Sequence, residues 1–474
     1  MSGAYHSMMI YSSRFAPSPT GRVHLGNVRT ALFAYLAARQ SGGRFVLRLE
    51  DTDLERSSPA LADALLEDLH WLGLDWEEGP DRGGPFAPYR QMERLPLYEP
   101  YYQQLLATGQ AYPCFCTTED LHRERELQRA NGQAPRYAGR CRGLPTALAQ
   151  ERLARGEPAS LRFAVPHQGT LRVPDLIWGE RSYQLGDLGD FVIRRSDGSP
   201  AFFFANAIDD ALMEINLVLR GEDHLTNTPR QILLLQALGL PVPSYGHLPL
   251  ILGNDSQPLS KRNGAASIQE LREQGYLPEA LCNYLGNLGH HFPSEEWRDR
   301  SRLVQDFSLA HVGRAPARFD PEQLRHWQAL GVQRLSLSEL QDWLQASLSG
   351  LVPSDHLTKF LQAIRGNILF PRDAQEWAIR CYQPLQLPPT VQQELLAEGT
   401  AFWAMARQAY EEHPEDFRSL TRQLALRSGR KGKALFHPLR LALTGLEHGP
   451  ELAALWECLP PAMVKQRLSL DLNS

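Results

Sequence analysis

Two strings in the 474-residue chain carry residue types that could handle a phosphate. The first, Arg14-Phe15-Ala16-Pro17-Ser18-Pro19-Thr20-Gly21, continues into His24-Leu25-Gly26-Asn27. Its breakers mark a loop leaving a strand, its glycines let a ligand approach the backbone, and the next helix aims its first N–H groups at an anion. His24 at that helix start could donate to a phosphate oxygen, or it could simply cap the turn. The second string, Pro258-Leu259-Ser260-Lys261-Arg262, lies in a polar loop that begins at Gly253-Asn254-Asp255. Alone it could be a solvated basic turn; at the end of a flexible loop it could bring a point charge to a phosphate. Cys114-x-Cys116, followed by Tyr137-x-x-x-Cys141, could ligate zinc through three thiolates, an incomplete set; the alternative is three unligated thiols in a small domain. Cys282, Cys381 and Cys458 are isolated and suit core filling. Finally, Arg418, Arg422, Arg427, Arg430, Lys431, Lys433 and Arg440 follow one another without an intervening acid, just after Glu411, Glu412, Glu415 and Asp416. Such a stretch could be a solvated helix face or an RNA contact.

The elements that must position these residues can be read in part. Met9–Ala16 reads as a short apolar strand, and Val28, Leu32, Tyr35 and Leu36 share one face of a helix over Asn27–Arg39. Gly42-Gly43 ends it, and Phe45, Leu47 and Leu49 alternate as a second strand. Ser58 then caps a helix that has Pro59 at its first position and buries Leu61, Leu65, Leu69 and Leu72. Strand, loop, helix, strand, helix begins a parallel sheet, whose ligands gather at the carboxyl ends of its strands. The stretch from about Pro88 to Pro200 differs: a charged helix near Glu119–Arg129 and short strands at Ser160–Val165 and Phe191–Arg195 suggest an insertion with its own fold. Strand character returns at Ala201–Ala207 and Glu214–Leu219, before a helix over Pro229–Leu238. Beyond about Ser267 helical segments such as Pro278–Leu288, Leu337–Leu348 and Thr390–Ala397 dominate.

Composition sets outer limits. The length suggests about three domains. With 43% apolar and 22% charged residues the chain is an ordinary globular protein. Its 36 glycines and 34 prolines fall short of a low-complexity composition. The richest apolar stretch, Ile232–Leu240, is broken by Gln236 and Gly239 and is too short to span a bilayer. Around Met8-Met9-Ile10 there is no basic region followed by a long apolar one, so no export signal is expected. Six cysteines are too few for a disulfide scaffold, and the expected location is the reducing cytoplasm. The net charge of −5 argues weakly against a nucleic-acid partner, but charge distribution matters more than the sum.

Taken together, the first two strings resemble the class I aminoacyl-tRNA synthetases: His24-Leu25-Gly26-Asn27 matches their HIGH element and Leu259-Ser260-Lys261-Arg262 their KMSKS element. Further segments are similar to bacterial glutamyl-tRNA synthetases, namely Leu47-Arg48-Leu49-Glu50-Asp51-Thr52-Asp53, Leu219-Arg220-Gly221-Glu222-Asp223-His224, Asn227-Thr228-Pro229-Arg230-Gln231 and Gly275-Tyr276-Leu277-Pro278-Glu279-Ala280-Leu281. Lys431–Gly445 and Glu447-His448-Gly449-Pro450 extend the likeness more loosely to the C-terminal part. The resemblance implies a Rossmann-type α/β catalytic domain, an inserted α+β acceptor-binding domain and an all-α anticodon-binding region. It places the first half of the catalytic domain at 9–88, the insertion at 89–200, the second half at 201–255, the KMSKS loop with a helical stem-contact region at 256–335, and the anticodon-binding region at 336–474.

The implied reaction joins L-glutamate to the 3′ end of tRNA through a glutamyl adenylate, with Mg²⁺ accompanying ATP, in a monomer that has no membrane partner. His24 and Lys261 would stabilise phosphate charge, and Ser18, Thr20, Gly26, Asn27, Ser260 and Arg262 would complete the ATP site. Arg14 and Arg220 would grip carboxylates, Glu50 would receive the α-amino group, and Ala16, Ser18, Phe202 and Asn206 would line the rest of the glutamate pocket. Arg418, Arg422, Arg427, Arg430, Lys431 and Lys433 would contact tRNA. The family usually has tyrosine where Phe202 stands; the lost hydroxyl removes a hydrogen bond worth roughly 0.5–1.5 kcal/mol. Some members bind zinc with three cysteines and a histidine just after the last. Here Arg142-Gly143 follows Cys141 instead, while Tyr137 matches a tyrosine ligand of a shorter relative. Rival readings are an enzyme that charges the glutamine tRNA or both tRNAs, the shorter relative that glutamylates queuosine, and an inactive RNA-binding paralogue.

Overall fold

The computed structural model describes residues 9–53, 55–260 and 266–470. It divides into two compact units, Met1–Leu271 with Leu281–Pro321, and Arg272–Ala280 with Glu322–Ser474.

The first unit is built on a six-stranded sheet. β1 (Ser13–Phe15) leads through the Pro-rich loop to α1 (Leu25–Gln40), whose apolar stretch from Ala31 to Ala38 is buried throughout. β2 (Phe45–Leu47) follows, then α2 (Pro59–Trp71), where Ser58 Oγ accepts the Leu61 N–H at 3.2 Å, as the capping pattern requires. Leu65, Leu69 and Leu72 are buried, whereas Leu61 is only half-buried. Next come α3 (Glu99–Ala107), β3 (Ala111–Cys114), α4 (Thr118–Ala130), α5 (Thr146–Ala154), β4 (Ser160–Phe163), β5 (Thr170–Asp175), β6 (Gly179–Gln184), α6 (Leu185–Leu188) and β7 (Phe191–Arg194). The unit continues with α7 (Phe202–Leu212), β8 (Leu217–Gly221), α8 (Thr228–Leu238), β9 (Ser244–Leu248), β10 (Ile251–Leu252) and β11 (Ala317–Arg318). The main sheet has the order β2-β1-β8-β9-β5-β6 and is parallel from β2 through β5. The carboxyl ends of β1, β2 and β8 therefore open in one direction, where such sheets hold ligands.

Two segments depart from the expectation. Ala201–Ala207 is not a strand but the start of α7. Its three phenylalanines suggest β structure, yet Phe204, Ile208 and Ala211 repeat at helical spacing within a segment, 204–211, that is buried throughout. Helix α7 fits the hollow between α8 and the small antiparallel sheet β3-β4-β7, packing with Phe163, Phe191, Ile193, Leu234 and Leu235. The segment expected to be an insertion with its own fold is likewise shared. β3, β4 and β7 form that separate sheet, but the hairpin β5–β6 joins the main sheet, where Asp175 stands opposite Tyr245.

In the second unit the expectation of helices holds among the described residues. Capping is explicit: Ser336 and Glu339 form a reciprocal box at the start of the helix Leu337–Leu348, and Asp416 caps Phe417–Ser428. The core holds Leu340, Leu344, Phe360, Leu361, Trp403, Leu420, Leu424 and Leu455.

Candidate active site

The strand ends place the first string around one cavity of about 590 Å³. Arg48 N–H donates to Phe15 O at 3.0 Å and Glu50 N–H to Pro17 O at 2.9 Å, so the Pro-rich loop is zipped to the continuation of β2. Arg14, Ala16, Ser18, Thr20, His24, Gly26, Asn27, Glu50, Phe202, Asn206 and Arg220 all line the cavity. The capping reading of His24 is the one observed: it is the N-cap of α1 and its Nδ1 accepts the Gly26 N–H at 3.2 Å, while the residue also borders the cavity. Pro258 and Leu259 reach the same cavity from the second string. Ser260 is exposed, and Lys261 and Arg262 lie outside the described residues.

The cations and the acid are held by a buried network that the sequence did not reveal. Arg14 donates from Nε and Nη2 to both oxygens of Asp210, at 3.0 and 3.1 Å. Arg48, fully buried, donates to Asp210 at 2.8 Å and to Glu50 Oε1 at 2.9 Å. Burial works against ionisation of Asp210, but the Arg14 and Arg48 charges outweigh it and hold the carboxyl below the usual range. Glu50 Oε1 also accepts from Asn206 Nδ2 at 2.7 Å; here burial prevails over the Arg48 charge and pushes the carboxyl upward. The carboxylate that faces the cavity is thus eager for a cation, the property an ammonium ligand needs.

Arg220 is different in kind. It is buried, and no carboxylate lies within ion-pair distance of it among the described residues. Its Nη2 donates to Thr228 Oγ1 and Gln231 Oε1, each at 2.6 Å, while Nη1 is buried without a partner. Burial lowers its pKa to about 10, so it stays charged near neutrality. A buried cation without an anion is costly and suits a site completed by an anionic ligand. Next to it, burial and the Arg220 charge depress His224 to about 4, leaving a neutral ring 5.5 Å from the Phe202 ring. Asp210, Thr228, Gln231 and His224 were missed as site residues. The available signals were the acid pair Asp209-Asp210 in an apolar helix and polar residues within the quoted strings.

The chain matches the family model described as tRNA synthetases class I (E and Q), catalytic domain, over residues 11–326. This chain belongs to the class I tRNA synthetases of the glutamate and glutamine type. Residues 373–471 of the synthetase match an anticodon binding domain. It is 59% identical over 451 residues to "Glutamate--tRNA ligase 2" of Acidithiobacillus ferrooxidans, covering 95% of this chain and 94% of that protein. It is 51% identical to "Glutamate--tRNA ligase 2" of Nitrosococcus oceani, covering 96% and 97% of the two chains. A crystal structure of a glutamate tRNA ligase from Elizabethkingia meningosepticum, in complex with its amino acid, superposes with a TM-score of 0.89 at 30% identity, over 97% of this chain and 99% of that one.

The four residues of the candidate metal site come together. The Cys114, Cys116 and Cys141 sulfurs lie within 4.8 Å of one another. Cys116 and Cys141 are 3.7 Å apart, and Tyr137 Oη is 3.4 Å from Cys114 Sγ and 3.7 Å from Cys116 Sγ. A tetrahedral ion with Zn–S bonds of about 2.3 Å has sulfurs roughly 3.8 Å apart, so the spacing fits. In the second unit, Arg418, Arg422, Lys431 and Lys433 are exposed, whereas Arg427 pairs with Glu412 and Arg430 with Glu398.

Proposed function

We propose that this synthetase attaches L-glutamate to the 3′ end of tRNA(Glu) through glutamyl adenylate, releasing pyrophosphate and AMP. The observation that carries the reading is the pairing, in one cavity, of a buried guanidinium without an anion and an acid held for an ammonium, beside a helix N-terminus fit for phosphate. Arg220 takes the side-chain carboxylate through the Nη1 group that its protein partners leave open, Glu50 takes the α-ammonium, and Arg14 stands near the reacting carboxylate. Ala16, Ser18, Phe202 and Asn206 enclose the rest of the amino acid.

The α-carboxylate attacks the α-phosphorus of ATP in line, and pyrophosphate leaves; the terminal ribose hydroxyl of tRNA then displaces AMP from the adenylate. Positioning and charge stabilisation dominate such a step. His24 and Lys261 steady the developing charge on the phosphates, and Ser18, Thr20, Gly26, Asn27, Ser260 and Arg262 hold the nucleotide. Mg²⁺ accompanying ATP would neutralise charge on its phosphates. Cys114, Cys116, Tyr137 and Cys141 would hold a structural zinc, which would tie β3 to the segment after α4. The exposed cations Arg418, Arg422, Lys431 and Lys433 contact tRNA, with Arg427 and Arg430 behind them. The enzyme works as a cytoplasmic monomer, and the domain limits given above divide these tasks.

Pyrophosphate exchange with glutamate, ATP and tRNA tests the reading. Lys261→Ala is expected to lower the adenylation rate about a hundredfold, the usual effect of losing one transition-state donor. A variant within about threefold of the parent would remove Lys261 from that role, and a parent without exchange activity would make the chain an RNA binder. Charging purified glutamate and glutamine tRNAs side by side fixes the acceptor.

A further inference from the structure

Behind Arg220 runs a chain of buried polar groups that do not line the cavity. Arg220 on β8 stands opposite His247 on β9, and its Nε donates to His247 Nε2 at 3.3 Å. A guanidinium only donates, so Nε2 must present a lone pair and the ring proton must sit on Nδ1. Asp175 Oδ2 lies 2.5 Å from that Nδ1. Thr228 Oγ1, 2.8 Å from Nε2, fits the same tautomer: its hydroxyl donates to the ring while its lone pair receives Arg220. Burial, with the Arg220 charge, outweighs Asp175 and keeps the His247 ring below its usual pKa, in agreement with a neutral ring. Asp175 is itself fixed, since its Oδ1 accepts the N–H groups of Ile177 and Trp178, each at 2.8 Å. Trp178 Nε1 closes the circuit on the His247 carbonyl at 2.9 Å. His247 is 0% and Asp175 5% exposed, so neither meets solvent or substrate.

We infer that His247 and Asp175 are positioning residues for Arg220, fixing the guanidinium plane so that its unpartnered Nη1 is presented to the ligand's carboxylate. The inference rests on Arg220 being that carboxylate's ligand. It makes the hairpin β5–β6, which interrupts the inserted segment, a working part of the amino-acid pocket. Asp175 holds the ring tautomer, the ring holds Nε, and Thr228 and Gln231 hold Nη2, so three of the guanidinium's directions are set before glutamate enters.

The test is steady-state charging by the full chain with His247→Leu, His247→Gln, Asp175→Asn and Arg220→Ala. His247→Leu removes the acceptor and is expected to raise the KM for glutamate about tenfold while the KM for ATP stays within about twofold. His247→Gln returns an acceptor to Nε and is expected to recover most of that loss. Asp175→Asn keeps the shape but loses the charge, and a rise of about threefold is expected. A glutamate KM unchanged in His247→Leu while Arg220→Ala abolishes charging overturns the inference alone. Equal rises for glutamate and ATP also overturn it, since that is general loosening. If Arg220→Ala leaves the glutamate KM unchanged, the underlying reading of Arg220 falls first. Should His247→Leu not fold, Asp175→Asn decides by the same ratio of the two KM values.

Discussion

A methyl group added to Gly26 would stand 3.1 Å from His24 Cε1 and 3.2 Å from Nδ1, so the ring that caps α1 would have to give way by a few tenths of an ångström. Gly26→Ala is therefore expected to cut pyrophosphate exchange about tenfold or more, with the KM for ATP rising and that for glutamate little changed. Phe202 gives the opposite experiment. Phe202→Tyr should lower the glutamate KM about two- to tenfold if the added hydroxyl reaches the substrate, as read in saturation curves. Residues that line the cavity were legible where they lie in short strings of unusual type, such as Arg14–Ser18 and His24–Asn27. Their supports were not. Asp210 is 196 positions from Arg14, and Asp175 is 72 from His247, so no local pattern announces either pair.

At the scale of elements, capping and periodicity carried Ser58 and the stripe below it into the correct helix, and the strands β1 and β2 came out shorter than their apolar runs. Helix α7 was misread because side-chain type was weighed above spacing: phenylalanine favours strands, but tertiary packing against α8 and the small sheet decides. The hairpin β5–β6 could not be placed from sequence, since parallel pairing to β9 involves a partner far along the chain. The small sheet has its own test. Protein purified without chelator is expected to carry about one zinc per chain, and Cys116→Ser to lose it and expose the segment around α4 to proteolysis. Equal metal content in parent and variant would leave Cys116 out of the set.

For the whole molecule, an overall charge of −5 hides one local run of cations in the helical unit, from Arg418 to Arg440. Those that face solvent without a partner acid are the ones able to release counterions from RNA. Arg422→Ala and Lys431→Ala should each raise the KM for tRNA and flatten its dependence on salt by about one phosphate contact. Arg427→Ala should do less to the salt slope, because its charge is already matched by Glu412. A slope unchanged in all three variants would place the RNA contact elsewhere. The parallel sheet and the helical unit were readable from composition and order of elements, whereas the division of cations into matched and unmatched needed coordinates.

The lone guanidinium of Arg220 also bears on how the empty protein endures heat. A buried charge without its opposite is a fault line in the resting fold, and on the reading proposed for Arg220 the amino acid would repair it on arrival. At a hundredfold excess over its Kd, glutamate should stabilise the native state by about 2.7 kcal/mol, visible as a higher melting temperature. Glutamine, equal in size but neutral at that end, should leave the melting curve where it was. The nutrient is then the last charge the interior requires, and starvation would leave the enzyme measurably softer.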